Sequence, residues 1–236
     1  MPDKYNPFRP DKMSSPGLFS GRVDELKFID HCLLQTKRGN PQHFLIEGER
    51  GIGKSSLFLC EQFVASGEIK TFSTEETLDF IVVSISLLDN DDYYSIIRKL
   101  TAGFKREVEK RTQFKVFTSA AWNFISKVEV SGFRYRTESE PIEESELFGY
   151  LQEDFVSVST KLSGVADGIL ILIDEADKPA TGGNLGLICK FLTEELTRRG
   201  CEKVCIGLAG LPSIIGVLRD SHASSLRIFK TMELRA

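Results

Sequence analysis

Eight consecutive residues, Gly48-Glu49-Arg50-Gly51-Ile52-Gly53-Lys54-Ser55, follow the spacing Gly, four free positions, Gly, Lys, Ser. Those residue types in that order suit the binding of a nucleotide's phosphates. Glycines let the backbone curl so that successive N–H groups point at phosphate oxygens, and a helix starting near Lys54 adds its positive dipole end. Lys54 would reach the β- and γ-phosphates, and the Ser55 hydroxyl would ligate Mg²⁺. Glu49, Arg50, Ile52 and Ser56 complete the candidate nucleotide-binding loop. At Arg50 a phosphate contact and a solvent-facing role are both open.

A second constellation lies 120 residues downstream. The run Gly168-Ile169-Leu170-Ile171-Leu172-Ile173 ends in Asp174-Glu175-Ala176-Asp177. Open α/β sheets place their ligands at the C-terminal ends of buried strands, so acids at that point belong to a site. Neighbouring strand residues point in opposite directions. Asp174 would then approach the Mg²⁺ through water, and Glu175 would face the water that attacks the γ-phosphate.

The elements that must position these residues can be read from their periodicity. His43 to Glu47 is a short apolar run before the loop, and Ser55 to Val64 has helical spacing, with an end near Gly67. A helix is expected after Phe19, with Ser20 or Gly21 near its cap. Asp79 to Leu88 and Lys203 to Ala209 read as strands, and Ile228 to Leu234 as a fifth. Helices are expected from an Asp89 to Asp92 cap to about Arg111, from about Ser145 to Ser163, and from Leu185 to Arg199. The alternation predicts an α/β fold, a doubly wound, mostly parallel five-stranded sheet in a three-layer α/β/α arrangement. Thr112 to Pro141 gives no firm pattern beyond a short alternating stretch at Val128 to Arg136.

Composition sets bounds on the class. At 236 residues the chain can bury one substantial core, expected over 17–236 behind a flexible N-terminal arm, 1–16. A net charge of -4 gives no global attraction to nucleic acid. Locally, eight Lys/Arg face three Glu between Phe104 and Arg136, while Thr137 to Asp154 carries seven acids and no base. Such a pair of segments reads first as solvated or mutually complementary surface, and second as a nucleic-acid contact. The five cysteines form no Cys-x-x-Cys pair, which fits reduced thiols in a cytoplasmic protein and argues against zinc. His31 and His43 flank apolar elements and read as surface or packing residues. The longest apolar run, Val204 to Leu218, is broken by Gly207, Gly210, Pro212 and Gly216, so no membrane span is expected.

Taken together, Phe19-Ser20-Gly21-Arg22-Val23-Asp24-Glu25-Leu26, the phosphate loop, Asp174-Glu175 and Ser225-Leu226-Arg227-Ile228-Phe229 resemble the P-loop core of AAA+ ATPases of the origin-recognition type and of related STAND-like bacterial ATPases. The resemblance implies an ATP hydrolase that couples ATP and Mg²⁺ to conformational change or assembly, as a homo-oligomer, on a protein partner or nucleic acid. It also implies that Leu18, Phe19 and Arg22 lie beside the adenine and that Arg227 matches an arginine finger. Two departures stand out. The end of the fourth strand, Leu208 to Ser213, offers only Ser213 where such ATPases carry a polar sensor, which implies slow turnover. The helical lid that usually follows the last strand is absent from this sequence or truncated.

The alternative to a hydrolase is a nucleotide-gated switch with little turnover. A helicase reading of Asp174 to Asp177 is weak, because such helicases close ATP between two core domains. A GTPase is disfavoured, since no Asn-Lys-x-Asp motif follows the acid-bearing strand. A small-molecule kinase would need its acceptor site within 112–141.

Overall fold

The computed structural model describes residues 21–111, 155–156, 158–159, 162, 164–179 and 183–235, with backbone alone at 105 and 109. The expected arm, Leu18, Phe19, and most of the helix expected from about Ser145 to Ser163 lie outside these residues, as does the stretch 112–141. Chain order is α1 (Val23–Lys37), β1 (His43–Gly48), α2 (Lys54–Ala65), β2 (Phe80–Ser86), α3 (Tyr93–Lys110), β3 (Gly168–Asp174), α4 (Leu185–Lys190), β4 (Val204–Gly210), α5 (Ile214–Ser221) and β5 (Phe229–Leu234). The strands form one sheet in the order β2-β3-β4-β1-β5, and all four pairings are parallel. The acid-bearing strand β3 is thus separated from the phosphate-loop strand β1 by β4 alone.

Continuous burial explains the continuous apolar runs. Ile169 to Ile173 of β3 are all 0 % exposed, and each fully buried aliphatic side chain of this size contributes roughly 1.5–3 kcal/mol. One sheet face packs on α3, α4 and α5 through Ile171, Ile206, Leu100, Ile188 and Leu218. The other packs on α1 and α2 through Phe44, Leu172, Leu33, Leu57 and Val64. This is the three-layer α/β/α arrangement.

Local physics accounts for where the elements differ from their expected bounds. Gly21 and Arg22 both hold left-handed backbone, at φ 81° and 60°, so α1 begins at Val23 with Arg22 in the capping position. Strand β2 stops at Ser86, short of Leu88, because the Leu88 N–H turns to the Asp91 carboxylate at 2.7 Å. Asp92 caps α3 as expected, accepting the Ser95 N–H at 2.8 Å. Helix α4 runs on through a π-helical turn, Phe191–Glu195, into Leu196–Arg198. There the Thr193 hydroxyl donates to the carbonyls of Cys189 and Lys190, both at 3.0 Å, and competes with the regular ladder.

Two buried titratable groups stand out beside the core, His43 on β1 and Glu61 on α2. His43 at the base of β1 accepts the Ile206 N–H through Nδ1 at 3.1 Å, and burial pushes its pKa down to about 4. The imidazole is therefore neutral and replaces a missing ladder bond between β1 and β4. Glu61 on α2 is 0 % exposed, and neither carboxyl oxygen has a hydrogen-bond partner among the described residues. Burial first, and the Asp30 carboxyl second, push its pKa well above the usual range. All five cysteines are buried and unpaired, and burial raises each thiol's pKa.

Candidate functional site

The loop between β1 and α2 has the backbone that its glycines allow. Gly51 and Gly53 are left-handed, at φ 79° and 103°, and a Cβ at either would meet no atom within 4 Å. Their outer surface therefore opens onto free space. Gly48 is constrained differently: a Cβ there would come within 3.0 Å of Ile52 Cγ2 and 3.1 Å of the Leu234 carbonyl. The Ile52 N–H returns to the Glu49 carbonyl at 3.4 Å, and the Leu57 N–H bonds to the Gly53 carbonyl at 2.9 Å, closing the first turn of α2. The first turn of α2 holds no acidic residue, and this twelve-residue helix opens at Lys54, whose N–H groups and dipole form a cradle for an anion. Lys54 arches over the loop and donates to the Gly48 carbonyl at 2.7 Å and the Glu49 carbonyl at 2.9 Å. Glu49 and Arg50 are exposed, while Ser55 and Ser56 are half-buried at the helix start.

Arg22 joins this loop from α1. Its Nη2 donates to the Ile52 carbonyl at 3.3 Å, and its Nη1 donates to Glu25 Oε1 at 3.0 Å and to the Arg235 carbonyl at 2.6 Å. The guanidinium thus ties the phosphate loop to α1 and to the chain leaving β5. The family resemblance implies a place beside the adenine for Arg22, and in the structure its guanidinium holds the loop's backbone. Leu18 and Phe19 fall outside the described residues.

Asp174 and Glu175 sit at the C-terminal end of β3, the same end of the sheet at which β1 delivers the loop. Asp174 Oδ1 accepts the Glu175 N–H at 2.9 Å, and Glu175 has φ 55°, a left-handed conformation uncommon outside glycine. That turn swings Glu175 out of the strand alternation expected for it. Its Oε2 lies 3.4 Å from Lys178 Nζ, an ion pair between half-exposed groups that is worth at most about 1 kcal/mol. The spacing of i and i+3 was the only sequence signal for Lys178.

Asp177 is a residue that motif reading passed over except as the end of a helicase box. Its Oδ1 accepts the Leu211 N–H at 2.8 Å and would stand 2.7 Å from a Cβ on Gly210. A side chain at the end of β4 is excluded because the Asp177 carboxylate fills that space. Ser213 lies beyond it, exposed, at the start of α5.

Arg227 is not brought to these groups. It is exposed in the 3-10 turn Ser225–Ile228 that precedes β5, and β5 runs parallel to β1, pairing Phe229 with His43 and Leu234 with Gly48. Arg227 therefore lies at the opposite end of the sheet from the chain's own phosphate loop.

The donor set suits Mg²⁺ with a nucleotide: a hydroxyl at Ser55 and a carboxylate at Asp174 are hard oxygen donors, next to a loop whose left-handed glycines leave the space a phosphate needs. Among the described residues no cluster of three or more His, Cys, Asp or Glu is arranged to hold a metal alone.

No protein-family model matches this chain, and no curated protein matches it in sequence. Solved structures do match in fold. The ORC2 protein of Aeropyrum pernix, in ADPNP-ADP complexes, superposes with a TM-score of 0.60 at 13% identity over 95% of this chain and 50% of that one. The Walker-type ATPase PABY2304 of Pyrococcus abyssi gives 0.51 at 18% identity, covering 94% of this chain and 55% of that one. Cdc6p of Pyrobaculum aerophilum gives 0.51 at 14% identity, covering 98% and 48%. The chain spans about half the length of these proteins. The chain shares its fold with these proteins, a parallel five-stranded sheet between helical layers.

Proposed function

We propose that this chain binds ATP with Mg²⁺ and hydrolyses it, using the nucleotide state to drive conformational change or assembly on a protein partner or nucleic acid. The observation that carries this reading is the loop with left-handed Gly51 and Gly53 and Lys54 above it, at the same sheet end as Asp174 and Glu175. The loop amides and Lys54 would hold the phosphates, and Ser55 and Asp174 would hold the metal. Bound Mg²⁺ would neutralise charge that develops on the phosphate oxygens. Glu175 would orient and deprotonate the attacking water, after leaving Lys178. Arg227 would serve a neighbouring copy, because it lies far from its own loop, so the active species would be a homo-oligomer.

The ORC1 protein of Aeropyrum pernix, a fold relative at 15% identity, is known in complex with DNA, which supports nucleic acid as a partner class. No helix among the described residues is long and apolar enough to cross a membrane. A cytoplasmic setting accords with five unpaired cysteines.

A second reading is a nucleotide-gated switch with little turnover. It is favoured by the Glu175–Lys178 ion pair and by the Asp177 carboxylate at the β4 end, where a γ-phosphate sensor would stand. Calorimetric titration with ATP and ADP, with and without Mg²⁺, together with steady-state phosphate release, tests both. Tight Mg²⁺-dependent binding with steady phosphate release supports the hydrolase. Binding without release supports the switch, and no binding refutes both.

A further inference from the structure

The end of β2 carries an ion pair that plays no part in the site as described so far. Asp91 is buried, its side chain 7% exposed, and its Oδ2 accepts from Leu88 N at 2.7 Å and from the Lys99 ammonium. Lys99 reaches back from the second turn of α3, and its Nζ also donates to the Ser86 carbonyl at 3.0 Å. One cation therefore holds both the last carbonyl of β2 and the carboxylate that closes the turn into α3. The Asp91 N–H returns to the Leu88 carbonyl at 3.0 Å, so the turn is bracketed from both sides.

This turn abuts the acid pair. Ser86 is the register partner of Asp174, and the next residue, Leu87, donates its N–H to the Asp174 carbonyl at 3.0 Å. Asp174 then orients Glu175 through the Oδ1 bond to its N–H. Each step from Lys99 to Asp174 is a main-chain or charge-assisted hydrogen bond, and none of them touches the phosphate loop. Taking Lys99 away would leave the Asp91 charge buried without its counterion, which loosens the turn rather than the sheet.

We propose that Lys99, paired with Asp91, is a positioning residue for the metal side of the site. It clamps the end of β2 against Asp174 and so sets how well Asp174 holds Mg²⁺ beside the nucleotide. The proposal rests on the reading of Asp174 as the metal-side acid of an ATP site. Partners that orient a metal ligand affect metal affinity strongly, and an effect through one further layer is expected to be smaller.

The test is calorimetric titration of a non-hydrolysable ATP analogue into wild type, Lys99→Met and the double variant Lys99→Met/Asp91→Asn, in EDTA and across a Mg²⁺ series, with melting temperatures measured alongside. The double variant removes the stranded buried charge, so it keeps the test valid where the single variant is poorly folded. Affinity in EDTA should be unchanged, while the Mg²⁺ concentration for half-maximal enhancement should rise about threefold or more in both variants. Wild-type Mg²⁺ dependence in a folded variant overturns the proposal. So does an equal loss of affinity with and without Mg²⁺, which would make Lys99 a phosphate contact or a purely structural lysine. A wild-type protein that binds no analogue at all refutes the proposed ATP site itself, and is told apart by the wild-type titration alone.

Discussion

The Lys54 ammonium rests on the carbonyl oxygen of Gly48, 2.7 Å away, at the first residue of its own phosphate loop. A phosphate entering the loop would trade this neutral acceptor for an anionic one, and charge-assisted bonds are roughly twice as strong. Lys54→Ala should therefore weaken ATP·Mg²⁺ binding by about tenfold or more, since a hydrogen bond to a charged group is worth about 1.5–3 kcal/mol. Among the described residues the half-buried lysine hydrogen-bonds to two loop carbonyls, so the fold should survive. Titration of the folded variant checks this, and wild-type affinity would rule out the loop as the phosphate site.

Glu175 separates binding from chemistry. It stands outside the loop, turned out of β3 by its left-handed φ of 55°, and its recorded partner is Lys178. Glu175→Gln should keep ATP affinity and the thermal stabilisation that ATP confers, while phosphate release falls about a hundredfold or more, as expected when a general base is lost. Lys178→Ala should leave release unchanged or raise it. If Glu175→Gln turns over like wild type, another group activates the water.

The parts of this architecture legible in the sequence are those whose physics is local. The positive φ at 51 and 53 calls for glycine, so the loop is visible from residue types alone. Strand β3 shows because five consecutive residues, Ile169 to Ile173, are buried on both faces. What stayed hidden are bonds between residues distant in sequence. Asp177 reaches the Leu211 N–H, Arg22 reaches the Arg235 carbonyl, and the Lys99–Asp91 clamp depends on how α3 returns over β2. No periodicity encodes such contacts. The start of α1 differs from its expected cap at Ser20 or Gly21 for a similar reason, since a left-handed Arg22 is not a residue-type signal.

Glu61 makes stability depend on pH. In the unfolded chain it loses its proton in the usual carboxylate range, whereas burial keeps it protonated in the fold to well above that pH. Across that window the native state binds more protons than the unfolded state, so its contribution to stability falls as pH rises. Glu61→Gln keeps the shape without the titration. The variant should gain stability over wild type as pH is raised from 5 to 8, by about 1 kcal/mol or more, the scale of a buried group left unpaired. His43, with its pKa pushed down to about 4, is present in both proteins and cancels from the difference. Urea unfolding at both pH values measures it; a difference that stays constant or shrinks would mean that Glu61 is solvated or paired in solution.

Arg227 provides the test of assembly. The turn that carries it precedes β5, and the six residues from Phe229 to Leu234 separate it from the sheet end where Gly48 enters the loop. At about 3.3 Å per residue that is roughly 20 Å, beyond the reach of an arginine side chain. Any action on a γ-phosphate must then be on that of a neighbouring copy, where an arginine supplied in trans is worth about 10³-fold or more in rate. Phosphate release should rise more steeply than protein concentration. Arg227→Ala should bind ATP normally and release little phosphate. Mixed with Glu175→Gln it should recover part of the activity, because a copy with intact Glu175 would meet a copy with intact Arg227. Release that is linear in concentration, with no recovery in the mixture, would show that Arg227 is a solvated surface arginine and that the site works within one chain.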